Sequence, residues 1–560
     1  MKFSQFHYER PDMDAACQFM NNLTQKFEAS TTAKEQIDII ADYRTKLIQV
    51  SSMMNLSYIR NTVDINGEYY KNEQAFFDKV GPTYSSSIVD FGSAVLKSKF
   101  LDEIKGEYGE IFISNLEFDS KSISKEIIPL MEEENELVSQ YQRFNANAMV
   151  SYNGKEYTIP AISKLTTDKD RNIRKAATQA LSDFYRSQKD FLEGTYDKLV
   201  KNRTAQAHTM GFESFTQLGY IRQNRNSYTP NDVANFRKQI AEDIVPVIIK
   251  AKEKQAERIG VSKIAIYDDN YCFADGNPKA FDDSDKMIQA TKEVFSMLSP
   301  ALKEYIEFMI DNECYDAPER VGKRVGAYSF CVPLEHAPYV FLNYNGSDTA
   351  LTTTFHEFGH GFEFYLQRFN DDSYMTGSTM DISEIHSMSM EFLFWPGLNK
   401  FFNDIDIRKY KISQLEKCLS FLSYGTMVDH FQHIIYDNPE LTPDERNQKW
   451  AELERIYRPY IDFDNIEFYS DGCLWQRQQH LYSSPFYYID YVLAQTIALQ
   501  FWQLAEIDHN ASLEKYVELA KKGGSLKFTD LVRSVGLKVP FEAGALIDIA
   551  KAVEKSLETL

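Results

Sequence analysis

The sequence predicts a mainly helical protein with a small β-sheet. Three observations carry that prediction: helical periodicity bounded by capping residues, few strand signals, and an HExxH string set in a helical frame. The first long segment, "TTAKEQIDIIADYRTKLIQV", opens on Thr32 and Glu35, a capping-box pair in which each side chain meets an amide that the helix start leaves unpaired. Behind it Ile37, Ile40, Ala41, Tyr43, Leu47 and Ile48 recur at the spacing of one buried face. "MEEENE" at 131 to 136 reads as a solvated helix face. "TPNDVANFRKQIAEDIVPVIIKAKEKQAERIG" starts with Thr229 as N-cap, Pro230 at the first helical position and Asp232 in the first turn; it is expected to kink at Pro246 and stop at Gly260. Strand signals are confined to "MVSYNGKEYTI", a hairpin about Asn153-Gly154, the short alternating run "KIAIYDD", and "GAYSFCVPLEHAPYVFLNYNG", two β-rich segments ending in the turn Asn345-Gly346. A boundary near residues 185 to 205 separates an N-terminal helical domain, 1–195, from a C-terminal domain, 196–560, although no Pro/Gly/Ser-rich linker marks it.

At 560 residues and 43% hydrophobic content, the chain can bury a large core, as several domains or as one large helical body. A formal charge of -21 and a pI near 5.1 exclude a general nucleic-acid or anionic-membrane binder, because phosphates would meet a repulsive field. The cysteines (Cys17, Cys272, Cys314, Cys331, Cys418, Cys473) lie far apart with no CxxC pair, which points to neither a disulfide framework nor a thiolate zinc site. The N-terminus lacks the apolar core of a signal peptide, and no stretch approaches the roughly 20 apolar residues needed to span a bilayer. The expected compartment is the cytoplasm.

The richest stretch is "TTTFHEFGHGFEF". His356 and His360 are four residues apart, so on a helix both imidazoles project from one face and can reach one ion. Glu357 lies about 100 degrees round the helix, near enough to act on a water at the metal without being a ligand. An HExxH string can arise by chance, so its context decides. Phe355, Phe358, Phe362 and Leu366 supply an apolar anchor. Gly359 and Gly361 cost about 1 kcal/mol each in a helix interior relative to alanine, a cost explained if another backbone passes close by. Catalytic zinc takes three protein ligands and leaves one position open. A metzincin would need glycine and histidine where Glu363 and Leu366 stand, and a thermolysin-like spacing would need glutamate at Thr379. Glu384, in "DISEIHSMSMEFLFW", is the better third ligand, and Glu391, two turns later on the same face, can orient a ligand histidine through its other ring nitrogen or be a solvated helix residue. The N/O ligand set suits zinc, and cobalt or manganese could also occupy it. His430 and His433 have no carboxylate at matched spacing and read as packed or surface helix residues; His386 projects from a different face than Glu384.

"FHEFGHGFE", "SEIHSMSMEF" and "PFYYIDYVLAQTIALQFW" in combination resemble the thimet oligopeptidase and oligoendopeptidase F family of zinc peptidases, with length and C-terminal wording nearest the Pz-peptidase branch. The likeness covers most of the chain from about residue 200, and the N-terminal part more loosely. It implies one zinc ion per chain held by His356, His360 and Glu384, with Glu357 as general base in the hydrolysis of internal bonds of short, unfolded peptides. It also implies a helical ellipsoid with a deep substrate channel, residues 1–195 forming part of its wall and 196–560 the catalytic domain, with a small sheet beside the active-site helix. "HLYSSPFYYIDY" matches the segment that brings a histidine and tyrosines to the peptide, which points to His480, Tyr488 and Tyr491, with Tyr487 as the alternative to Tyr488. Tyr488 and Tyr491 are three apart, on one helix face, and a phenol is a neutral donor suited to an oxyanion; in a chain with 34 tyrosines, packing bulk is the competing explanation. "PYVFLNY" resembles the family's edge strand, whose backbone pairs with extended peptides. The competing functions are a helical HExxH metallocarboxypeptidase and a catalytically silent peptide-binding scaffold.

Overall fold

The computed structural model describes residues 1–560, the side chain of Tyr374 excepted, and most of that length is helix. The strands among the described residues are β1 (Met149–Tyr152), β2 (Lys155–Thr158), β3 (Tyr315–Pro318), β4 (Tyr328–Val332) and β5 (Ala337–Tyr344). The chain forms two compact units, the first comprising Met1–Lys121, Lys279–Asp404 and Ile497–Val539, the second Ser122–Pro278, Ile405–Thr496 and Pro540–Leu560.

In unit one the helices Met13–Ala29, Ala33–Val63 and Glu68–Leu96 bury Met20, Phe27, Ile40, Phe91 and Val95 in one cluster. The predicted capping box forms: the Glu35 amide donates to Thr32 Oγ1 at 3.3 Å, and the Thr32 amide to Glu35 Oε2 at 3.2 Å. The sheet runs β3-β5-β4, with β5 parallel to β3 and antiparallel to β4. This overturns the expectation that "PYVFLNY" lies at a sheet edge. Its residues form β5, the central strand, and all but Asn343 are buried. An apolar run with little alternation suits a strand covered on both faces, and its backbone groups are taken up on both sides. β3 and β4 are the two edge strands, and the helix Ala33–Val63 meets β4 through Asn55. Because the Val340 amide donates to Cys314 O at 3.0 Å on the β3 side, Val340 and its partner Ser329 exchange no bonds, and the Ser329 amide and carbonyl point away from β5.

In unit two β1 and β2 form the predicted hairpin, pairing Tyr152 with Lys155 while Asn153 and Gly154 adopt φ of 49° and 73°, as a two-residue turn of this hand requires. Thr229 caps the helix Pro230–Gln239, and Gly260 ends the continuation Val245–Ile259 at φ 73°. Between them Ile240–Ile244 forms a π turn, so the missing amide of Pro246 is accommodated by a local widening just upstream. "KIAIYDD" is not a strand. After one bridge at Ala265 the chain turns, the Ala265 and Asp268 backbones closing on each other, so that the buried Asp268 carboxylate can meet Arg171 and Arg174 at 2.7 and 2.8 Å. Charge pairing overrides the alternating pattern there. No helix among the described residues is long and apolar enough to cross a membrane, and no disulfide joins their cysteines.

Candidate metal centre

β5 runs through the Asn345-Gly346 turn into the motif helix, Asp348–Gln367. Ser347 caps that helix, its Oγ accepting the Ala350 amide at 3.1 Å. Phe355, Phe358 and Phe362 are fully buried, and Phe355 stacks on Phe394 with ring centroids 3.7 Å apart. Both motif glycines mark close approaches. A Cβ on Gly359 would lie 2.7 Å from the His386 carbonyl oxygen and 2.8 Å from Ser387 Cα, so the next helix, Met380–Leu393, packs its backbone against the motif helix there. A Cβ on Gly361 would collide with the Tyr305 hydroxyl.

That close packing brings Glu384 to the histidines. Glu384 Oε2 lies 3.3 Å from His356 Nε2 and 3.5 Å from His360 Nε2, and one donor atom from each of the three residues lies within 4.8 Å of the others. A tetrahedral ion with bonds of about 2.1 Å needs its ligand atoms roughly 3.4 Å apart, and both Glu384 separations match that spacing, so the donor set fits such an ion. Glu391 Oε1 stands 2.7 Å from His356 Nδ1, which leaves Nε2 as the nitrogen facing the cluster. The Ser387 hydroxyl donates to Glu384 Oε2 at 3.0 Å. Glu357 is buried beside the histidines, and its Oε2 has no hydrogen-bond partner. Burial pushes the Glu357 carboxyl above its ordinary range, against the pull of His356 and His360. Burial acts the same way on Glu384, but the two imidazoles outweigh it and hold that carboxyl well below its usual value.

The other predicted residues gather in unit two. The His480 ring lies 4.9 Å from Tyr488, 6.1 Å from Tyr491 and 5.9 Å from Tyr487, and Tyr487 lies 4.8 Å from Tyr491. Tyr487, Tyr488 and Tyr491 are half-buried, and Gln478 Nε2 is 2.8 Å from His480 Nδ1. Tyr488 also packs on Phe421 and Tyr424. Several residues that sequence reasoning passed over set this cluster. Phe486 precedes the helix Tyr488–Ile507 in the left-handed region, φ 66°, where a bulky side chain is strained. Its amide donates to Gln432 Oε1 at 2.6 Å, its carbonyl accepts from Arg225, and its ring fills the space a side chain on Gly219 would need. Arg225 also pairs with the buried Asp490 at 2.9 Å. The available signal was Asp490 itself, a carboxylate within the apolar run "YYIDYVLA".

His386, His430 and His433 are packed, and His433 also faces Asp429 Oδ2 at 3.6 Å, a carboxylate four residues before it that the sequence reading passed over. His433 meets Tyr220 Oη at 3.1 Å, His430 meets Tyr457 Oη at 3.1 Å, and burial lowers each imidazole to about 4. His386 is buried with both ring nitrogens unpartnered, and burial lowers it to about 3.

The chain is similar to known peptidases along most of its length. The family described as Peptidase family M3 matches residues 164–550, and the Peptidase M3 N-terminal domain matches residues 3–123. Oligopeptidase PepF of Bacillus subtilis (strain 168) is 22% identical over 549 residues, covering 90% of this chain and 78% of that protein. An oligoendopeptidase F homolog of Lactococcus lactis subsp. lactis (strain IL1403) is 23% identical over 410 residues, 70% of this chain and 66% of that one. Among solved structures, Pz peptidase A with an inhibitor superposes with a TM-score of 0.94 at 37% identity, covering 100% of this chain and 99% of that one.

Proposed function

This chain belongs to peptidase family M3 and is a metallo-oligopeptidase, and we propose that it is a zinc enzyme that cuts internal bonds of short, unfolded peptides with Glu357 as general base. The observation that carries the reading is the convergence of one donor atom each from His356, His360 and Glu384 within 4.8 Å, beside a buried, unpartnered Glu357 oxygen. A zinc ion held by those three residues would supply Lewis acidity and lower the pKa of water from 15.7 to about 7. Glu357 takes the proton of the attacking water and returns it to the departing amine, a role for which a carboxyl raised by burial is suited. Glu391 holds the His356 ring in the ligating orientation. His480, Tyr488 and Tyr491 are assigned as donors to the oxyanion, on the chemistry of neutral donors and on their match to the family's segment. The extended peptide lies along the β4 edge, where the Ser329 amide and carbonyl face outward.

Glu357→Gln tests the reading. Its kcat on a quenched peptide should fall about 10²–10⁴-fold while metal content, read by elemental analysis, stays at one ion per chain. A variant that keeps most of its rate would remove Glu357 from the mechanism. Wild-type cleavage should survive amidation of the peptide's C-terminus; loss of cleavage on amidation would favour a carboxypeptidase instead.

A further inference from the structure

A cavity of about 390 Å³ in unit one lies against the last turns of the motif helix. Ile48 and Asn55, Phe330 and Cys331 of β4, Phe364 and Ser378 contribute to its walls, and Glu363 stands among them. We infer that this cavity is a substrate pocket for a basic side chain, lysine or arginine, with the Glu363 carboxylate as its counter-charge; the inference rests on the peptidase reading above.

Position comes first. Glu363 follows His360 by three residues, so it occupies the same stripe of the helix one turn further on. The metal ligands and the cavity are therefore neighbours. The β4 residues in the cavity wall continue the strand whose Ser329 offers its backbone outward, and a peptide paired there sends alternate side chains to one side.

Charge comes second. Glu363 is only 4% exposed, and its hydrogen-bond donor is the Ser378 hydroxyl at 3.0 Å. No lysine, arginine or histidine lines the cavity, and no ion pair to Glu363 occurs among the described residues. Several buried carboxylates elsewhere are paired with an arginine, Arg174 with Asp268, Arg258 with Glu416, Arg458 with Glu454 and Arg225 with Asp490, whereas Glu363, like Glu357, is not. A buried charge without a partner is unfavourable, and a cation entering the cavity would supply the partner that Glu363 lacks. Burial accordingly pushes its carboxyl up to about 7, and an incoming cation would return it to the ionised form.

Shape comes third. The walls are largely apolar, and the volume lies at the small end for ligand sites, enough for one long side chain rather than a cofactor. Lysine and arginine present an aliphatic stem to such walls and a charged head to the carboxylate.

The test uses metal-loaded full-length enzyme and N-acetylated, C-amidated nonapeptides, so that neither terminus supplies the charge. Lysine, arginine, norleucine or glutamate is walked along the peptide. Rates and cut sites are read by mass spectrometry for the wild type, Glu363→Gln and Glu363→Lys. The wild type should cut at one fixed distance from lysine or arginine, with kcat/KM about tenfold or more above the norleucine peptide. That ratio should approach one in Glu363→Gln, and Glu363→Lys should turn the preference toward glutamate. Cleavage without any positional preference for lysine or arginine overturns the pocket and leaves the peptidase reading standing, as does a preference that persists in Glu363→Gln. If the wild type cuts no peptide in the set, the peptidase reading fails first. The wild-type series decides the matter even if a variant does not fold.

Discussion

The histidine and glutamate cluster of unit one stands on two helices whose backbones touch at Gly359, whereas the histidine and tyrosine cluster of unit two hangs from a turn with Phe486 in left-handed backbone. In the first, side chains converge because main chains are packed so closely that a methyl group has no room. In the second, they converge because remote polar groups, Gln432 and the Arg225 and Asp490 pair, hold a strained loop in place. The two regions should therefore fail in opposite ways, one by the addition of an atom and the other by the removal of a charge.

The sharpest break is expected in unit two. Asp490→Asn leaves Arg225 buried without its counter-charge and should lower stability by about 3–5 kcal/mol in urea unfolding, with metal content of the folded fraction unchanged. A loss below about 1 kcal/mol would mean that the pair does not hold the turn. Next in size, Glu391→Gln should weaken metal binding about 10–100-fold in a chelator competition, because the His356 ring loses the carboxylate that orients it. Unchanged affinity would reduce that contact to packing. The smallest effect sharpens the packing side of the contrast. Gly361→Ala should cost about 1–3 kcal/mol by collision with the Tyr305 hydroxyl, and adding Tyr305→Phe should recover most of it. Tyr305→Phe alone should be neutral or stabilising, since that hydroxyl is buried without a partner. An unrescued double variant would point to Val340, 3.1 Å from the same position, as the real obstacle.

This contrast also explains what the sequence could reveal. His356, Glu357 and His360 share one helix, so spacing alone fixes their relation. Glu384 and Glu391 share the next, and their seven-residue interval places them on one face before any tertiary contact is known. Gly359 and Gly361 were readable as close approaches because a helix interior penalises glycine, but Ser387 and Tyr305 as the groups approaching were not. The capping boxes at Thr32 and Thr229 were legible for the same local reason. Strand order was not: β5 lies between strands whose pairing depends on segments far along the chain, and its nearly unbroken apolar run was the one local hint of a central place. "KIAIYDD" alternates like a strand, yet the two arginines that claim Asp268 lie about a hundred residues upstream, beyond any windowed pattern. The turn at Phe486 was illegible too, because nothing in "SSPFYY" announces a left-handed phenylalanine.

The side-chain amide of Asn55 donates to the Cys331 carbonyl at 2.8 Å, near the end of β4. That contact acts as a stop on the ladder: whatever strand lines up beside Ser329 runs out of main-chain acceptors two residues on. An open sheet margin is also where one copy of a protein can template another into fibrils, and natural folds blunt such margins with short strands and polar plugs. If a peptide pairs along β4 as proposed, the same asparagine would limit how far it can extend, and it caps one outward acceptor of that margin.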